Sequence, residues 1–237
     1  MFTESAEFYD ALYSFRDYAA ETARIAEVVR WLHPEARTVL DVACGTGEHA
    51  ARLASQHGFA VDGLDLDRGM VQIARAKNRA GRFVEADMIE FSLDGRYDVI
   101  LCLFSSIAYL VTLDRITRAL SGFRRHLTAK GIVIVEPWFP PGELDTNRVW
   151  RLTGSHEGVS VTRVSRNEID GRISRLRFEY EIESAQGIRR ASEVHELGLF
   201  TQEEMRMAFS AAGLVTTYDP VGLSGRGLWM ARDRVSA

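Results

Sequence analysis

Residues 38–57 read TVLDVACGTGEHAARLASQH and contain three local structural signals in succession. Residues 38–43 are apolar apart from one threonine and one aspartate, which predicts a buried strand. Gly45 and Gly47 then predict a tight turn, because glycine adopts backbone conformations that other residues avoid. Residues 48–57 place alanine and leucine at helical spacing. A strand, a glycine loop and a helix form the first unit of a doubly wound α/β sheet.

The alternation of strand and helix continues on both sides of this unit. Short apolar runs predict further strands at residues 59–66, 82–85, 97–104 and 131–137. Apolar residues at helical spacing predict helices at 18–32, after the cap residue Asp67, and at 113–127. The run YDVILCLF at 97–104 is almost wholly apolar, as expected of a central parallel strand that is covered on both faces. The chain therefore predicts a Rossmann-like, doubly wound α/β core.

A different pattern occupies residues 138–199. After a loop rich in proline, polar and apolar residues alternate at 159–164, 173–182 and 188–200, as they do in half-buried antiparallel strands. The dipeptide Asp170-Gly171 predicts a hairpin turn between the first two strands. We predict an antiparallel β meander inserted at 138–199, which serves substrate binding or a dimer contact.

The core pattern returns after the insertion. Thr201, with Glu204 three residues later, predicts a capped helix that ends before Gly213. Short strands at 214–218 and 227–231 are then expected to complete the main sheet. The predicted core therefore comprises residues 1–137, which include an N-terminal helical lid, and residues 200–237.

Composition argues against several classes of function. The 237 residues include 29 Lys+Arg and 33 Asp+Glu, a net charge of −4, so nothing indicates a nucleic-acid partner. The N-terminal stretch lacks the apolar core of a signal peptide, and no apolar run has membrane-spanning length, so we expect a cytoplasmic protein without membrane contact. Cys44 and Cys102 lack metal-site spacing, and no metal is expected. The exposed face of the meander is a candidate homodimer surface.

Residues at the strand ends indicate which ligand the glycine loop would hold. Asp41 precedes the loop, where its carboxylate would repel a pyrophosphate and favour a cationic ligand. Asp65 ends the second strand, at the position where a carboxylate holds ribose hydroxyls. Asp87 can accept a hydrogen bond from an adenine amino group while Met88 packs on the ring. The set indicates an adenosyl ligand with a positive charge, although the G-x-G-x-x-A match leaves a nicotinamide-dependent oxidoreductase as an alternative.

At these positions the sequence resembles the S-adenosylmethionine-dependent methyltransferases. The run DVACGTG at 41–47 is similar to their first motif, with Ala43 where many members have glycine, and strand 98–104 falls where a later motif falls. The resemblance implies S-adenosylmethionine as the cofactor, and Tyr18 resembles the contact to the cofactor carboxylate. The implied cofactor-binding residues are Tyr18, Asp41, Ala43, Gly45, Gly47, Asp65, Leu66, Asp87, Met88 and Leu103.

A narrower resemblance covers nearly the whole chain. Stretches at 9–13, 17–21, 41–47, 104–110, 135–138, 194–195 and 224–228 resemble the N,N-dimethyltransferases that act on nucleotide-linked 3-amino sugars. Those enzymes make dimethylamino sugars of the desosamine and mycaminose kind for macrolide antibiotics. The resemblance implies direct transfer of methyl groups to the amino group of a TDP-linked 3-amino deoxy sugar. Two alternatives stay open, which are a methyltransferase of another small amine and a non-catalytic small-molecule sensor.

Two tyrosines are candidate catalytic residues. Tyr13 lies ahead of the helix at 18–32, where it is placed to cover the cofactor and offer its hydroxyl to the substrate amine. Tyr109 follows the strand at 97–104, at the sheet edge where open α/β sheets bind ligands. We expect Tyr109 to orient the amine or to relay its proton to solvent.

Besides Tyr13, four residues are candidates for binding the nucleotide sugar. Arg226 lies between two glycines and is the first choice for the diphosphate, which prefers a guanidinium partner. Trp138 offers an aromatic face for the thymine ring, and Arg163 is a further cation. His195 lies in an alternating strand and is interpreted either as a substrate contact or as a buried structural histidine.

Overall fold

A computed structural model describes residues 8–235 and contains two β-sheets. Its strands are β1 (Thr38–Val42), β2 (Ala60–Asp65), β3 (Phe83–Glu85), β4 (Tyr97–Cys102), β5 (Leu127–Val135), β6 (Trp150–His156), β7 (Val159–Asp170), β8 (Ile173–Ser184), β9 (Gly187–Gly198), β10 (Leu214–Asp219) and β11 (Leu228–Asp233). Its α-helices are α1 (Tyr9–Leu12), α2 (Tyr18–Leu32), α3 (Glu48–His57), α4 (Arg68–Lys77), α5 (Leu113–Arg125) and α6 (Gln202–Ala211). A 3₁₀-helix spans Ser106–Leu110.

The main sheet has the strand order β10-β11-β5-β4-β1-β2-β3. Strands β1 to β5 are parallel to one another, whereas β11 runs antiparallel to both of its neighbours, β5 and β10. The chain leaves β1 towards β2 and β3, then crosses back to β4 and β5 on the other side. This reversal confirms the predicted doubly wound sheet and opens a crevice between the carboxyl ends of β1 and β4.

Strand β4 lies in the middle of the core. Residues 99–102 of this strand are 0% exposed, because apolar layers of helix and strand side chains cover both faces of the sheet. The long apolar run that predicted a central strand thus reflects burial on two sides. The predicted caps are also confirmed, since Asp67 accepts from the first turn of α4 and Thr201 forms a capping box with Glu204.

The second sheet is antiparallel, with the order β6-β7-β8-β9. The predicted turn after Asp170 is confirmed, with Gly171 at φ +57°. The first strand, β6, was not predicted because its residues are mostly exposed and show no apolar alternation. It pairs with β7 through the two-residue turn Glu157-Gly158, in which both residues have positive φ. Such a turn matches the twist of a hairpin.

The connection between α5 and β5 differs from the sequence prediction. Helix α5 ends at Arg125, and β5 begins at Leu127 instead of residue 131. The early part of β5 includes Lys130 and is partly exposed, so it lacks the apolar signal that marked residues 131–137. Among residues 8–235, no helix has both the length and the apolar composition needed to cross a membrane.

Candidate active site

A cavity of about 1210 Å³ opens at the carboxyl ends of β1 and β4. Its wall combines the glycine loop and strand ends of the main sheet with the segment around α1 and the inner face of the second sheet. The predicted site residues that line it are Tyr13, Tyr18, Asp41, Ala43, Gly45, Asp65, Leu66, Asp87, Met88, Leu103, Tyr109, Trp138, Arg163 and Arg226. Gly47 and His195 do not line it.

The two glycines of the loop have different structural tasks. Gly45 has φ +55°, and a Cβ atom added there would meet nothing within 4 Å, so the backbone is open to the cavity. Gly47 has φ +76°, and an added Cβ would lie 2.8 Å from Cβ of Ala74 in α4. Gly47 is therefore a packing position between α3 and α4, and its contact with the cofactor stays a prediction.

Asp65 joins the end of β2 to the glycine loop. Its Oδ2 accepts from the Gly45 N–H at 2.8 Å, and its Oδ1 accepts from the Asp67 N–H at 2.9 Å. Burial raises the pKa of Asp65 above its usual range, against the lowering effect of these backbone donors. The carboxylate thus lines the cavity and fixes the loop conformation, a second task that the sequence did not reveal.

Asp41 is a buried acid in the cavity wall. It is 3% exposed, and burial raises its pKa to about 7, with a lowering effect from His49 and a raising effect from Asp65. The carboxyl group is therefore about half ionised near neutral pH. A cation bound at this wall would favour its ionised form.

The remaining predicted cofactor residues in the cavity wall include three apolar side chains and one carboxylate. Leu66 is 52% exposed, while Met88 packs on the apolar core and Leu103 is buried. Asp87 Oδ1 accepts from the Ile89 N–H at 2.9 Å, which fixes the turn after β3. The arrangement offers apolar side chains beside a carboxylate, as an adenine ring and its amino group require.

Tyr18 belongs to a polar cluster at the start of α2. Its ring lies edge-on to His49, with centroids 5.1 Å apart, and His49 Nε2 lies 2.8 Å from a Glu21 oxygen. Arg16 donates to the other Glu21 oxygen, and Arg16, Glu21 and His49 all line the cavity. These three residues were not predicted from the sequence, because their spacing matches no motif and only the fold brings His49 to α2.

Tyr13 is held by the second sheet. Its hydroxyl accepts a hydrogen bond from Arg163 Nη1 at 2.9 Å, and the Arg163 guanidinium lies between the rings of Tyr13 and Phe178. Arg163 is 4% exposed. Its position fits an anchor for Tyr13 better than the predicted contact with a diphosphate.

Tyr109 lies in the 3₁₀-helix that follows β4, and its hydroxyl lies 2.9 Å from His195 Nδ1. The tyrosine lines the cavity, whereas His195 is 1% exposed and lies behind it. Direct contact between His195 and a substrate is therefore not supported, because the Tyr109 side chain lies on the cavity side of the imidazole.

Arg226 is paired with a buried acid. Glu136 follows β5, is 0% exposed, and accepts from Arg226 Nη2 at 3.2 Å, from the Phe104 N–H at 2.7 Å and from the Ser224 hydroxyl. The Arg226 guanidinium lies 5.8 Å from the centroid of the Trp138 ring. The pairing fixes Arg226 at the cavity wall while offsetting its charge. Glu136 was also missed from the sequence, although it directly follows an apolar strand.

Several buried donors in the wall have no hydrogen-bond partner among the described residues. They are Nε of Arg16, Nε of Arg163, Nε of Arg226 and Nε1 of Trp138. An unsatisfied buried donor is costly unless a bound group accepts from it. Together with the open backbone at Gly45, these donors fit a cavity that holds a ligand rich in oxygen atoms.

Comparison with known proteins agrees with this geometry. Residues 39–131 match the family model described as a methyltransferase domain. The chain is 39% identical to the dTDP-3-amino-3,6-dideoxy-alpha-D-glucopyranose N,N-dimethyltransferase of Streptomyces fradiae, over 95% of this chain and 89% of that protein. It is 35% identical to the dTDP-4-amino-2,3,4,6-tetradeoxy-D-glucose N,N-dimethyltransferase of Saccharopolyspora spinosa, over 96% and 92% of the two chains.

Among solved structures, the chain is similar to SAM-bound CalS10, an amino pentose methyltransferase from Micromonospora echinaspora. The TM-score is 0.83 and the identity 35%, with 94% of this chain and 95% of that chain covered. The fold and the glycine-loop site thus define the class of S-adenosylmethionine-dependent methyltransferases. Within this class, the chain belongs to the family of dTDP-amino-sugar N,N-dimethyltransferases.

Proposed function

We propose that the protein transfers two methyl groups, one after the other, to the amino nitrogen of a dTDP-linked 3-amino deoxy sugar. The observation that carries this proposal is the extent of the relationship, since relatives that act on dTDP-amino sugars align with 95% and 96% of the chain. That extent includes the second sheet, which supplies part of the cavity wall. A relationship limited to the cofactor core would not support a particular substrate.

The residues of the main sheet fit the cofactor. S-adenosylmethionine, when bound, supplies a methyl group that its sulfonium has already activated. We assign Asp65 to the ribose hydroxyls, Asp87 and Met88 to the adenine, and Tyr18 to the carboxylate end. Asp41 gives the wall a negative charge when it is ionised, which favours a cationic ligand. The chain itself then has to orient the nucleophile and exclude water.

The substrate amine has to be neutral when it attacks, because its nitrogen needs a free electron pair. Tyr13 and Tyr109 both line the cavity and come from separate parts of the chain. We propose that their hydroxyls orient the amine and handle its proton. Two successive transfers require room for a primary and then a secondary amine, which a cavity of about 1210 Å³ provides.

The nucleotide half of the substrate is assigned to the outer wall. Trp138 offers a ring to the thymine, and Arg226 is the first candidate for the diphosphate. Because Glu136 offsets the charge of Arg226, a second cation is needed. Arg148 lines the same cavity, and its guanidinium lies 3.4 Å from the centroid of the exposed Trp150 ring. We therefore add Arg148 to the predicted substrate residues.

Mass spectrometry of a small substrate panel tests the proposal. The panel contains a dTDP-3-amino sugar, a dTDP-4-amino sugar, the matching sugars without the nucleotide, and glycine. We expect two added methyl groups on the dTDP-3-amino sugar, with slower reaction or none on the others. Equal rates with and without the nucleotide, or no methylation of any dTDP-amino sugar, would contradict it.

Assembly and location are separate predictions. The edge strands of the second sheet carry exposed apolar side chains such as Val194 and Ile188, and we propose this sheet as the surface of a homodimer. Light scattering of the purified protein measures its mass directly, and a monomer at micromolar concentration would exclude a stable dimer. A cytoplasmic location stays a prediction from the sequence.

A further inference from the structure

The cavity wall at Tyr109 is backed by hydrogen bonds inside the second sheet. Tyr109 Oη lies 2.9 Å from His195 Nδ1, and His195 Nε2 lies 3.3 Å from Glu193 Oε2. The Tyr180 hydroxyl donates to the same Glu193 oxygen at 2.9 Å. Glu193, His195 and Tyr180 are all buried. A carboxylate, an imidazole and a phenol thus stand in series behind a residue that lines the cavity.

The strand geometry explains how these groups meet. Glu193 and His195 are two residues apart on β9 and share its inner face, while Val194 between them is exposed. The 3₁₀-helix that carries Tyr109 packs against β9. Residues from the core and from the insertion therefore form one polar chain.

The chain continues past Tyr180 to the other cavity tyrosine. Arg163 lies opposite Tyr180 in the ladder between β7 and β8, and it donates hydrogen bonds to Tyr180 and to Tyr13. A guanidinium has donors only. The Tyr13 oxygen therefore accepts from Arg163, and the hydroxyl proton of Tyr13 is left to donate towards another acceptor.

The hydrogen-bond direction at Tyr109 is the opposite. The Glu193 carboxylate only accepts, so it takes the Nε2–H of His195, and in the neutral tautomer that this bond selects, Nδ1 keeps its electron pair. The Tyr109 hydroxyl then donates to Nδ1, and its oxygen is left as an acceptor on the cavity side. Of the two tyrosines, Tyr109 is the one with a described acceptor for its own proton, His195 Nδ1.

Groups from several elements pack around His195. They include Glu193 on its own strand, Tyr109 from the 3₁₀-helix and Tyr180 from β8, with Phe178 in ring contact and Arg163 beyond it. The Arg163 cation, linked to Glu193 through Tyr180, already provides positive charge near the carboxylate.

We propose that Glu193 and His195 are positioning residues that make Tyr109 the acceptor of the proton leaving the substrate amine, an inference that depends on the proposed function. An N–H bond of the substrate ammonium breaks as its proton passes to Tyr109 Oη, and the nitrogen keeps the electron pair. The Tyr109 O–H bond breaks as its proton passes to His195 Nδ1, and Glu193 stabilises the imidazolium. The proton returns to solvent through Tyr109 after the product leaves.

The tautomer of His195 can be tested without any substrate. The full chain is labelled with ¹⁵N-histidine, and the His195 signals are assigned by their loss in His195→Gln. At about pH 8, where an unperturbed imidazole is neutral, we expect a protonated Nε2 and an unprotonated Nδ1. An Nδ1–H tautomer or an imidazolium would overturn the proposal, even if the enzyme methylates a dTDP-amino sugar.

Kinetics test whether Glu193 acts through Tyr109. Glu193→Gln keeps the shape of the side chain and removes its charge, and we expect methyl transfer to fall about ten- to hundredfold near neutral pH. The affinities for S-adenosylmethionine and dTDP should be unchanged. The defect should shrink as rising pH frees the amine without help. In the Tyr109→Phe background, Glu193→Gln should have no additional effect.

The matched control is Glu196→Gln, which removes an exposed carboxylate from the same strand and should keep full activity. A defect of Glu193→Gln that is equal at every pH, or that adds to that of Tyr109→Phe, would show a structural role only. If Glu193→Gln does not fold, Glu193→Asp replaces it, and the histidine spectrum of the wild-type protein still decides the hydrogen-bond direction. Loss of methyl transfer in the wild type, with the expected tautomer, would contradict the proposed function alone.

Discussion

The two sheets bury different kinds of side chain. In the main sheet, strands such as β4 are apolar and closed to solvent, and polar groups are concentrated at the strand ends that face the cavity. In the second sheet, one face carries exposed ion pairs such as Arg175–Glu196 and Arg190–Glu181. Its other face buries Arg163, Glu193 and His195 among aromatic rings.

The exposed and the buried polar groups of the second sheet differ in what they contribute to folding and to the reaction. Exposed ion pairs contribute at most about 1 kcal/mol each, so those of the second sheet contribute little to folding. Buried polar groups cost free energy unless each is hydrogen-bonded. Because the second sheet buries polar groups beside a cavity, we expect these groups to position the cavity tyrosines Tyr13 and Tyr109. The main sheet instead presents its loop and strand-end acids to the cofactor.

The largest effect is expected from Tyr109→Phe, which tests whether the second sheet contributes to methyl transfer. The ring and its packing stay, but the hydroxyl that contacts His195 is lost. We expect the rate of methyl transfer to fall about a hundredfold, because the substrate proton loses its acceptor. Single-turnover measurements give the rate, and calorimetric titration should show unchanged affinity for S-adenosylmethionine and dTDP.

Tyr97→Phe is the control for that change. Its hydroxyl donates to Asp62 at 2.8 Å, away from the cavity, so the rate should not change. The free energy of unfolding should drop by about 1 kcal/mol. An unchanged rate in Tyr109→Phe would reduce Tyr109 to a packing residue.

Asp65→Ala should have the next largest effect and should act on the cofactor side. We expect binding of S-adenosylmethionine to weaken by about 1–3 kcal/mol, since the ribose hydroxyls lose their acceptor and the Gly45 N–H loses its own. Asp62→Asn, on the same strand and outside the cavity, is the matched control. Calorimetry that shows equal affinity for wild type and Asp65→Ala would exclude the ribose assignment.

A third prediction contrasts the two loop glycines. Gly47→Ala should lower the free energy of unfolding by about 2 kcal/mol, because its Cβ would overlap Ala74 and its backbone is left-handed. Gly45→Ala should cost about 1 kcal/mol of stability and weaken the cofactor more, because its Cβ would enter the open cavity. Denaturant melts measure the loss of stability, and titrations measure the loss of cofactor affinity. A larger loss of affinity in Gly47→Ala, with a larger loss of stability in Gly45→Ala, would contradict the two assigned roles.

Asp41 provides a pH test of the charge of the cofactor. The pKa of Asp41 is raised to about 7 by burial, so its carboxylate fraction increases as pH rises through neutrality. Binding of cationic S-adenosylmethionine should therefore tighten about tenfold from about pH 6 to about pH 8. S-adenosylhomocysteine, which lacks the sulfonium charge, should gain less, and Asp41→Asn should flatten the difference between the two ligands. If the affinities of both ligands change equally with pH in the wild type, Asp41 does not favour the cationic cofactor through its charge.

Sequence and structure agree best where burial is uniform. The apolar runs at residues 38–43 and 97–104 predicted central strands because both faces of those strands are covered. Asp41, Asp65 and Asp87 all line the cavity, as expected from their positions near the carboxyl ends of parallel strands. Local patterns suffice when a single physical rule, burial or strand direction, decides the position.

Long-range contacts were beyond such rules. Strand β6 was not predicted, because an exposed edge strand has no apolar alternation. The pairing of Glu136 with Arg226, 90 residues later, has no local sequence signal either. The sequence left His195 open between a substrate contact and a buried structural histidine, since only the packing of the 3₁₀-helix on β9 shows Tyr109 in front of it. Contacts between distant segments depend on the assembled fold.

The smallest predicted effect concerns Ala43, which has φ +56° although it is not glycine. An alanine in the left-handed conformation destabilises the folded chain by about 1 kcal/mol or more. Glycine removes this strain, but its larger conformational freedom in the unfolded chain offsets part of the stabilisation. Ala43→Gly should therefore raise the free energy of unfolding by about 0.5 kcal/mol. Ala60→Gly, in regular β2, should lower it by a similar amount. If denaturant melts show Ala43→Gly to be destabilising, the methyl group of Ala43 contributes packing in the loop that outweighs its backbone strain.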